Sequence, residues 1–273
     1  MSCQQSFWLL SVLLVILCAL GASTASDSCK DAFDTEYLPA SCNEAVHLTG
    51  KKAKSGIYKI QLPPQYGDGK AFYVHCLLDP SGGEAWTLIQ LRKDEYMNFS
   101  RGWEEYKKGF GNLNMNFFMG LDKLHALTAS QLHELWIELR DFEGSTKYAK
   151  YDSFAIADER QKYALSILGE YSGTAGDAML KVHGGAKFST YDQDNDEHID
   201  NDVNCAEAYK GGWWYGKYEC LHSNLNGLYL NGVTKSFADG IMWKPWHGDY
   251  YSMKYVHMAI RPKELLHQNR SAN

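Results

Sequence analysis

The sequence predicts one large domain that mixes strands with helix around a single core, and three observations point that way. Short runs alternate apolar residues with other side chains, one segment repeats Leu at every third position, and the long third quarter is rich in Gly, Asp, Asn, Trp and Tyr. Strict alternation separates side chains onto the two faces of a strand, whereas a spacing of three to four gathers them on one face of a helix. With 273 residues the chain stays within the range in which one core can still be filled.

Taken in chain order, the first segment reads as a leader. Residues Phe7 to Leu20 are apolar apart from Ser11, and the small residues Gly21-Ala22-Ser23-Thr24-Ala25 follow. That apolar core falls short of the ~20 residues that span a bilayer, and Ser23 and Ala25 suit the -3 and -1 positions before a cleavage after Ala25. Residues 1–25 therefore read as a secretory signal peptide. No Lys or Arg precedes the apolar run, so the amino terminus itself supplies the positive charge. Residues 26–40 show no periodicity and read as a short N-terminal arm.

In the body of the chain, Phe72, Val74, Cys76 and Leu78 alternate with Tyr73, His75 and Leu77, which predicts a strand. Leu135, Ile137 and Leu139 alternate with Trp136, Glu138 and Arg140 and predict another. Between them Leu121, Leu124 and Leu127 recur among helix formers and predict a helix over about Met119–Thr128. Ser252 to Pro262 alternates again and predicts a late strand that closes back onto the core. Gly169 to Gly248 has no such repeats and reads as loop-built. Loops of that length inside a domain usually serve a site, and something has to pin them.

Composition narrows the function. A formal net charge of -6 gives no counterion-release drive towards nucleic acid and no attraction to an anionic membrane, so neither is an expected partner. Eight Trp and eighteen Tyr exceed what a core alone requires and suit a binding surface. The chain contains no HExxH, no GxSxG and no phosphate-cradling glycine loop, and its ten histidines lack ligand spacing, so no enzymatic activity is expected. Asn98-Phe99-Ser100 and Asn269-Arg270-Ser271 are glycosylation acceptors in a secreted chain.

Cys3 and Cys18 fall in the leader and leave Cys29, Cys42, Cys76, Cys205 and Cys220. In an oxidising compartment an odd set implies a free thiol or a bridge to another chain, and no pair has the spacing of a structural zinc site. Asp192-Gln193-Asp194-Asn195-Asp196 puts carboxylates on alternate residues, which lets a turning backbone aim several hard oxygens at one calcium ion. It is not an EF-hand, because the sixth position from Asp192 is Glu197 and the twelfth is Val203.

Several runs in fixed order carry a family resemblance: Ser55-Gly56-Ile57-Tyr58, Gly83-Glu84-Ala85-Trp86-Thr87-Leu88-Ile89-Gln90, and Trp103-Glu104-Glu105-Tyr106-Lys107-Lys108-Gly109-Phe110-Gly111-Asn112-Leu113. Glu138-Leu139-Arg140-Asp141-Phe142-Glu143-Gly144, Tyr171-Ser172-Gly173-Thr174-Ala175-Gly176-Asp177, Lys187-Phe188-Ser189-Thr190, Ser223-Asn224-Leu225-Asn226-Gly227 and Tyr251-Ser252-Met253-Lys254 continue it. The sequence resembles the fibrinogen C-terminal domain family, which includes ficolins, tachylectins, angiopoietins and the terminal domain of tenascins. The resemblance assigns residues 41–263 to the domain and leaves 264–273 as a C-terminal tail. It implies an α+β fold with a small N-terminal subdomain, a central twisted antiparallel sheet with helices, and a loop-rich C-terminal subdomain for calcium and ligand.

The resemblance also implies the pairs Cys42–Cys76 and Cys205–Cys220, and it leaves Cys29 outside both. No heptads and no Gly-X-Y tract precede the domain, so Cys29 on the arm is the available device for a disulfide-linked homodimer. Calcium falls to Asp194 and Asp196, with His198 and Asp200 as the positions of the carbonyl donors. The ligand pocket falls to Trp214, Tyr215, Leu221, Asn224, Phe237, Ala238 and Tyr250. In ficolin-like and tachylectin-like members it takes acetylated glycans or related acylated ligands, and in angiopoietin-like and tenascin-like members the same face serves a cell-surface receptor or a matrix partner. Two departures stand out. The family has Cys-His ahead of the Ser-Asn-Leu-Asn-Gly run, whereas this chain reads Cys220-Leu221-His222, which displaces the pocket histidine. The Trp-to-Cys spacing is also longer than usual, and Glu219–Cys220 is the bond at which the family's cis conformation would fall.

Overall fold

A strand whose every residue is buried organises the molecule. The computed structural model describes residues 37–82, 84–200 and 202–263. The predicted leader, Cys29 with most of the arm, Asn269 and the tail lie outside the described residues.

The N-terminal part is a helix fastened to a hairpin. Helix α1 (Cys42–Thr49) begins at Ser41, whose hydroxyl accepts the Glu44 N–H at 3.1 Å, while the Glu44 carboxylate accepts the Ala40 N–H at 2.6 Å. Both contacts satisfy donors that a helix start leaves orphaned. Strand β1 (Gly56–Ile60) pairs with β2 (Phe72–Leu78), and Cys76 of β2 bridges to Cys42 of α1 with the Cα atoms 5.4 Å apart. The bridge holds the helix over the sheet edge.

Strand β3 (Ala85–Arg92) carries the sheet into the core, with all eight residues buried. Sequence alternation is absent here because both faces are covered. Helix α2 (Trp103–Lys108) follows, then the short strands β4 (Phe110–Gly111) and β5 (Phe117–Phe118), the latter paired with β3. Helix α3 (Leu121–Ser130) buries Leu121, Leu124 and Leu127. It starts two residues later than the Leu spacing predicts, because Gly120 at φ +106° still lies outside the helix, and it runs on to Ser130.

Strands β6 (His133–Arg140) and β7 (Thr146–Ala155) extend the sheet, and β8 (Ile167–Leu168) and β9 (Tyr171–Gly173) pair with β7. From there to residue 252 the regular elements are two to four residues long: α4 (Leu180–His183), α5 (Cys205–Ala208), β10 (Ser223–Asn224), β11 (Gly232–Val233), β12 (Met242–Trp243), α6 (Lys244–His247) and β13 (Tyr251–Ser252). The late strand predicted from Ser252 divides in two. Tyr251–Ser252 pairs with β11, and β14 (Tyr255–Pro262) enters the main sheet between β3 and β6, antiparallel to both. The main path runs β1-β2-β3-β14-β6-β7-β8, an open sheet with the last strand of the chain near its middle. The fold is therefore α+β, with helices set beside an antiparallel sheet.

Side chains of β3 reach out of the sheet and hold the loop-built region against it. The buried Arg92 guanidinium donates to the Leu225 carbonyl at 3.2 Å and the Gly227 carbonyl at 2.8 Å, and it stacks on Phe99 at 3.9 Å. Gln90 adds a bond to the Leu225 carbonyl at 2.8 Å. An aromatic cluster around Phe188, which touches Trp103, Tyr106, Phe118 and Trp214, fills the space between sheet and loops. Apolar burial supplies the attraction, and the buried donors fix which loop carbonyls sit there.

Candidate functional site

The acidic loop is built from the residues inward. Asp192 is used structurally: its Oδ1 accepts the Trp103 N–H at 2.9 Å and the Thr190 hydroxyl at 2.7 Å. A Cβ on Gly102 would meet its Oδ2 at 2.4 Å, so the glycine makes room for the docking. That leaves Asp194 and Asp196. Asp194 Oδ1 accepts the Asp196 N–H at 3.2 Å, which turns the backbone so that the two carboxylates share one curve of chain. Glu197 follows at φ +53° and redirects the chain towards His198.

Asp196 is the better placed of the pair. It is 5% exposed, and its two oxygens accept the His198 N–H at 3.0 Å and the Cys205 N–H at 2.9 Å. Burial pushes its carboxyl above the usual carboxylate range, the Asp194 charge adds to that push, and the two backbone donors oppose it. The nearby Lys187 pairs with Glu197, so neither aspartate has a Lys or Arg counter-ion among the described residues. Two hard, uncompensated carboxylates in one turn fit calcium, with carbonyl oxygens and water to complete a shell of six to eight. The His198 ring nitrogen Nδ1 is occupied locally by the Asp200 N–H at 3.2 Å, and Asp200 Oδ1 accepts the Asp202 N–H at 3.2 Å. A cleft of about 340 Å³ lined by Lys187, Asp194, Asn195, Asp196, Glu197, His198 and Val203 opens here.

From Asp196 the geometry leads to an aromatic face. Cys205, which donates to Asp196, opens α5 and bridges to Cys220 with the Cα atoms 5.7 Å apart. Tyr209 follows α5, and its ring centroid lies 6.5 Å from Phe237, which meets Tyr250 at 5.5 Å. Phe237 and Tyr250 are 51% and 52% exposed. Tyr209 was not among the residues implied by the sequence, and it connects the acidic loop to this face.

The other implied pocket residues sit behind the surface. Trp214 and Tyr215 are fully buried, with the Trp214 indole N–H on the Tyr163 carbonyl at 2.8 Å and the Tyr215 hydroxyl on the Gly211 carbonyl at 2.7 Å. With rings enclosed and polar tips satisfied, they support the face instead of forming it. Asn224 is buried too, and its Nδ2 donates to the Tyr209 carbonyl at 2.8 Å. Ala238 is buried at φ +57°, and Leu221 is 6% exposed.

Two histidines lie beside the segment around Leu221. His222 Nε2 meets Glu219 Oε2 at 2.5 Å. His183, at the end of α4, does the internal work: Nδ1 donates to the Trp214 carbonyl at 2.7 Å, and Nε2 accepts the N–H groups of His222 and Ser223 at 3.2 Å each. Those partners require a neutral ring with the proton on Nδ1, and burial pulls its pKa down to about 4. No sequence motif marks His183. Every peptide bond among the described residues is trans, Glu219–Cys220 included. Asn98 is exposed, with Oδ1 accepting the Ser100 N–H at 2.8 Å.

The comparisons agree with this architecture. The family described as fibrinogen beta and gamma chains, C-terminal globular domain, matches residues 38–263. The chain belongs to the fibrinogen C-terminal domain family. Fibrinogen C domain-containing protein 1 of mouse is 45% identical over 222 residues, which cover 80% of this chain and 46% of that protein. The human protein of the same name is 44% identical over 222 residues. The chain thus spans about half the length of the curated relatives it matches. The fibrinogen-like globe domain of human ANGPTL2 has a TM-score of 0.72 at 37% identity, covering 80% of this chain and 97% of that one. A lamprey fibrin D-dimer complexed with the peptide Gly-His-Arg-Pro-amide has a TM-score of 0.74 at 29% identity, covering 99% and 87%. The family consists of recognition modules, and two intrachain disulfides fit an oxidising, extracellular compartment. Among the described residues no helix is long and apolar enough to cross a membrane.

Proposed function

We propose that the protein is a secreted, calcium-binding lectin of innate-immune type that takes acetylated glycans on the face formed by Phe237 and Tyr250. One observation carries the reading: these two rings stand half exposed and edge to face, while Trp213, Trp214, Tyr215 and Trp243 of the same region are fully buried. A solvent-facing aromatic pair is a suitable cup for an acetyl methyl group and a sugar face. Calcium held by Asp194 and Asp196, with carbonyl donors near His198 and Asp200, would neutralise the acidic loop. Through the Asp196–Cys205 hydrogen bond it would also steady α5 and Tyr209 behind the cup.

The second reading is a protein–protein module that binds a cell-surface receptor or matrix partner. It is supported by Val233, which is 80% exposed and pairs with Tyr251, next to Tyr250, so the apolar surface extends past a sugar-sized cup. A glycan array run with calcium and with chelator separates the two. The lectin reading expects calcium-dependent binding to acetylated sugars, weakened at least tenfold in Tyr250→Ala and in Asp196→Asn. A blank array from folded, calcium-loaded protein, beside saturable binding to cell surfaces, selects the protein module.

A further inference from the structure

A second convergence of metal-binding side chains, remote in sequence from the acidic loop, lies where the β6–β7 turn meets α6. Asp141, Glu143 and His247 each present one ligand atom, and all these atoms lie within 4.8 Å of one another. Asp141 is 3% exposed; its Oδ1 accepts the Ser145 N–H at 2.7 Å, and its Oδ2 faces His247 Nε2 at 3.2 Å. The His247 ring is held flat against Tyr251, with centroids 4.1 Å apart and planes 14° from parallel. The Tyr251 hydroxyl donates to Glu143 and accepts the Phe142 N–H. Orientation of ligands by such outer partners is what metal sites require.

Charge points the same way. Among the described residues His247 is the sole ion-pair partner of Asp141, and no Lys or Arg forms an ion pair with Glu143. Two carboxylates and one imidazole thus converge at this turn, and a divalent cation would balance the carboxylates. Zinc bonds of roughly 2.0–2.2 Å set tetrahedral ligand separations of about 3.4 Å. The Asp141–His247 separation of 3.2 Å is close to that edge, and the exposed Glu143 carboxylate, held by the Tyr251 hydroxyl, presents an oxygen within 4.8 Å of both. An imidazole nitrogen with two carboxylates suits zinc, whereas calcium asks for more and exclusively oxygen ligands.

We propose that Asp141, Glu143 and His247 form a zinc site, separate from the calcium loop, that fastens the sheet to the C-terminal loops through α6. The site has three protein ligands and leaves a fourth position to water.

The experiment is calorimetric titration of the untagged, calcium-saturated full chain with zinc chloride. One zinc should bind per chain, with affinity falling at least tenfold in His247→Ala and in Glu143→Gln. Glu143 is exposed, so its substitution leaves the fold intact, and near-UV circular dichroism confirms this for both variants. The Asp194→Asn/Asp196→Asn variant should retain zinc, which separates this site from the acidic loop. Cobalt loaded in place of zinc should give visible absorption bands that His247→Ala abolishes. The proposal is overturned if the folded wild type takes up no zinc, or if the His247 and Glu143 variants bind it as tightly as wild type.

Discussion

His183 ties two stretches of chain that share no regular structure. Its ring joins the Trp214 carbonyl to the N–H groups of His222 and Ser223, all buried or nearly so. Removing the ring orphans three backbone groups at about 1–3 kcal/mol each, with some relief from local relaxation. We therefore expect His183→Ala to lose roughly 3–5 kcal/mol of unfolding free energy. Urea denaturation measures it, and a midpoint within error of wild type would refute the assignment. Asp192 teaches a related lesson, because alternation made it look equivalent to Asp194 and Asp196. Docking on the Trp103 N–H removes it from the metal set. Both roles depend on partners 31 to 89 residues away, which no local pattern encodes.

At the scale of elements, α5 is the hinge of the site because it begins at a bridged cysteine whose N–H also holds Asp196. A bridge closing a separation of 15 residues is worth about 3 kcal/mol by loop-closure entropy. The Cys205→Ser/Cys220→Ser variant should therefore melt several degrees lower and need several-fold more calcium for half-saturation. A melt shifted without any change in the calcium midpoint would show that the bridge and the acidic loop are independent. Elements that were legible, β2, β6 and α3, have one face buried and so display their period. Strand β3 escaped because eight buried residues leave no alternation, and α1 escaped although Ser41 and Glu44 stand three apart as a capping signal.

For the whole molecule, buried histidines set the acid limit. Burial pulls His133 and His183 down to about 4 and His257 to about 3, against an unfolded value of 6.5. Well above pH 6.5 neither state protonates them. Below it the unfolded chain takes up protons that the folded one refuses, so stability falls as pH drops from 6.5 towards 4, by at most about 4 kcal/mol per pH unit for three such groups. Carboxylates act lower down: Asp79, held at about 2, contributes stability that is lost only as pH falls below its unfolded value. Urea midpoints measured from pH 7.5 to 4.5 should therefore decline throughout the lower part of that range. A flat profile would mean that these rings are solvated.

The sequence by itself determined the family, the strands β2, β6 and β14, the helix α3, and the acidic run that suits calcium. Each of these is written in local spacing or in an ordered set of short runs. The tertiary structure decided which residues meet. It put the last strand between β3 and β6, sent Trp214 and Tyr215 inward, left Phe237 and Tyr250 outside, and brought Asp141 and Glu143 up to His247. The physical reason is that a loop-built region has no period of its own. Its conformation is set by buried hydrogen bonds from Arg92, Gln90 and His183 and by a disulfide, all of which join positions far apart in the chain.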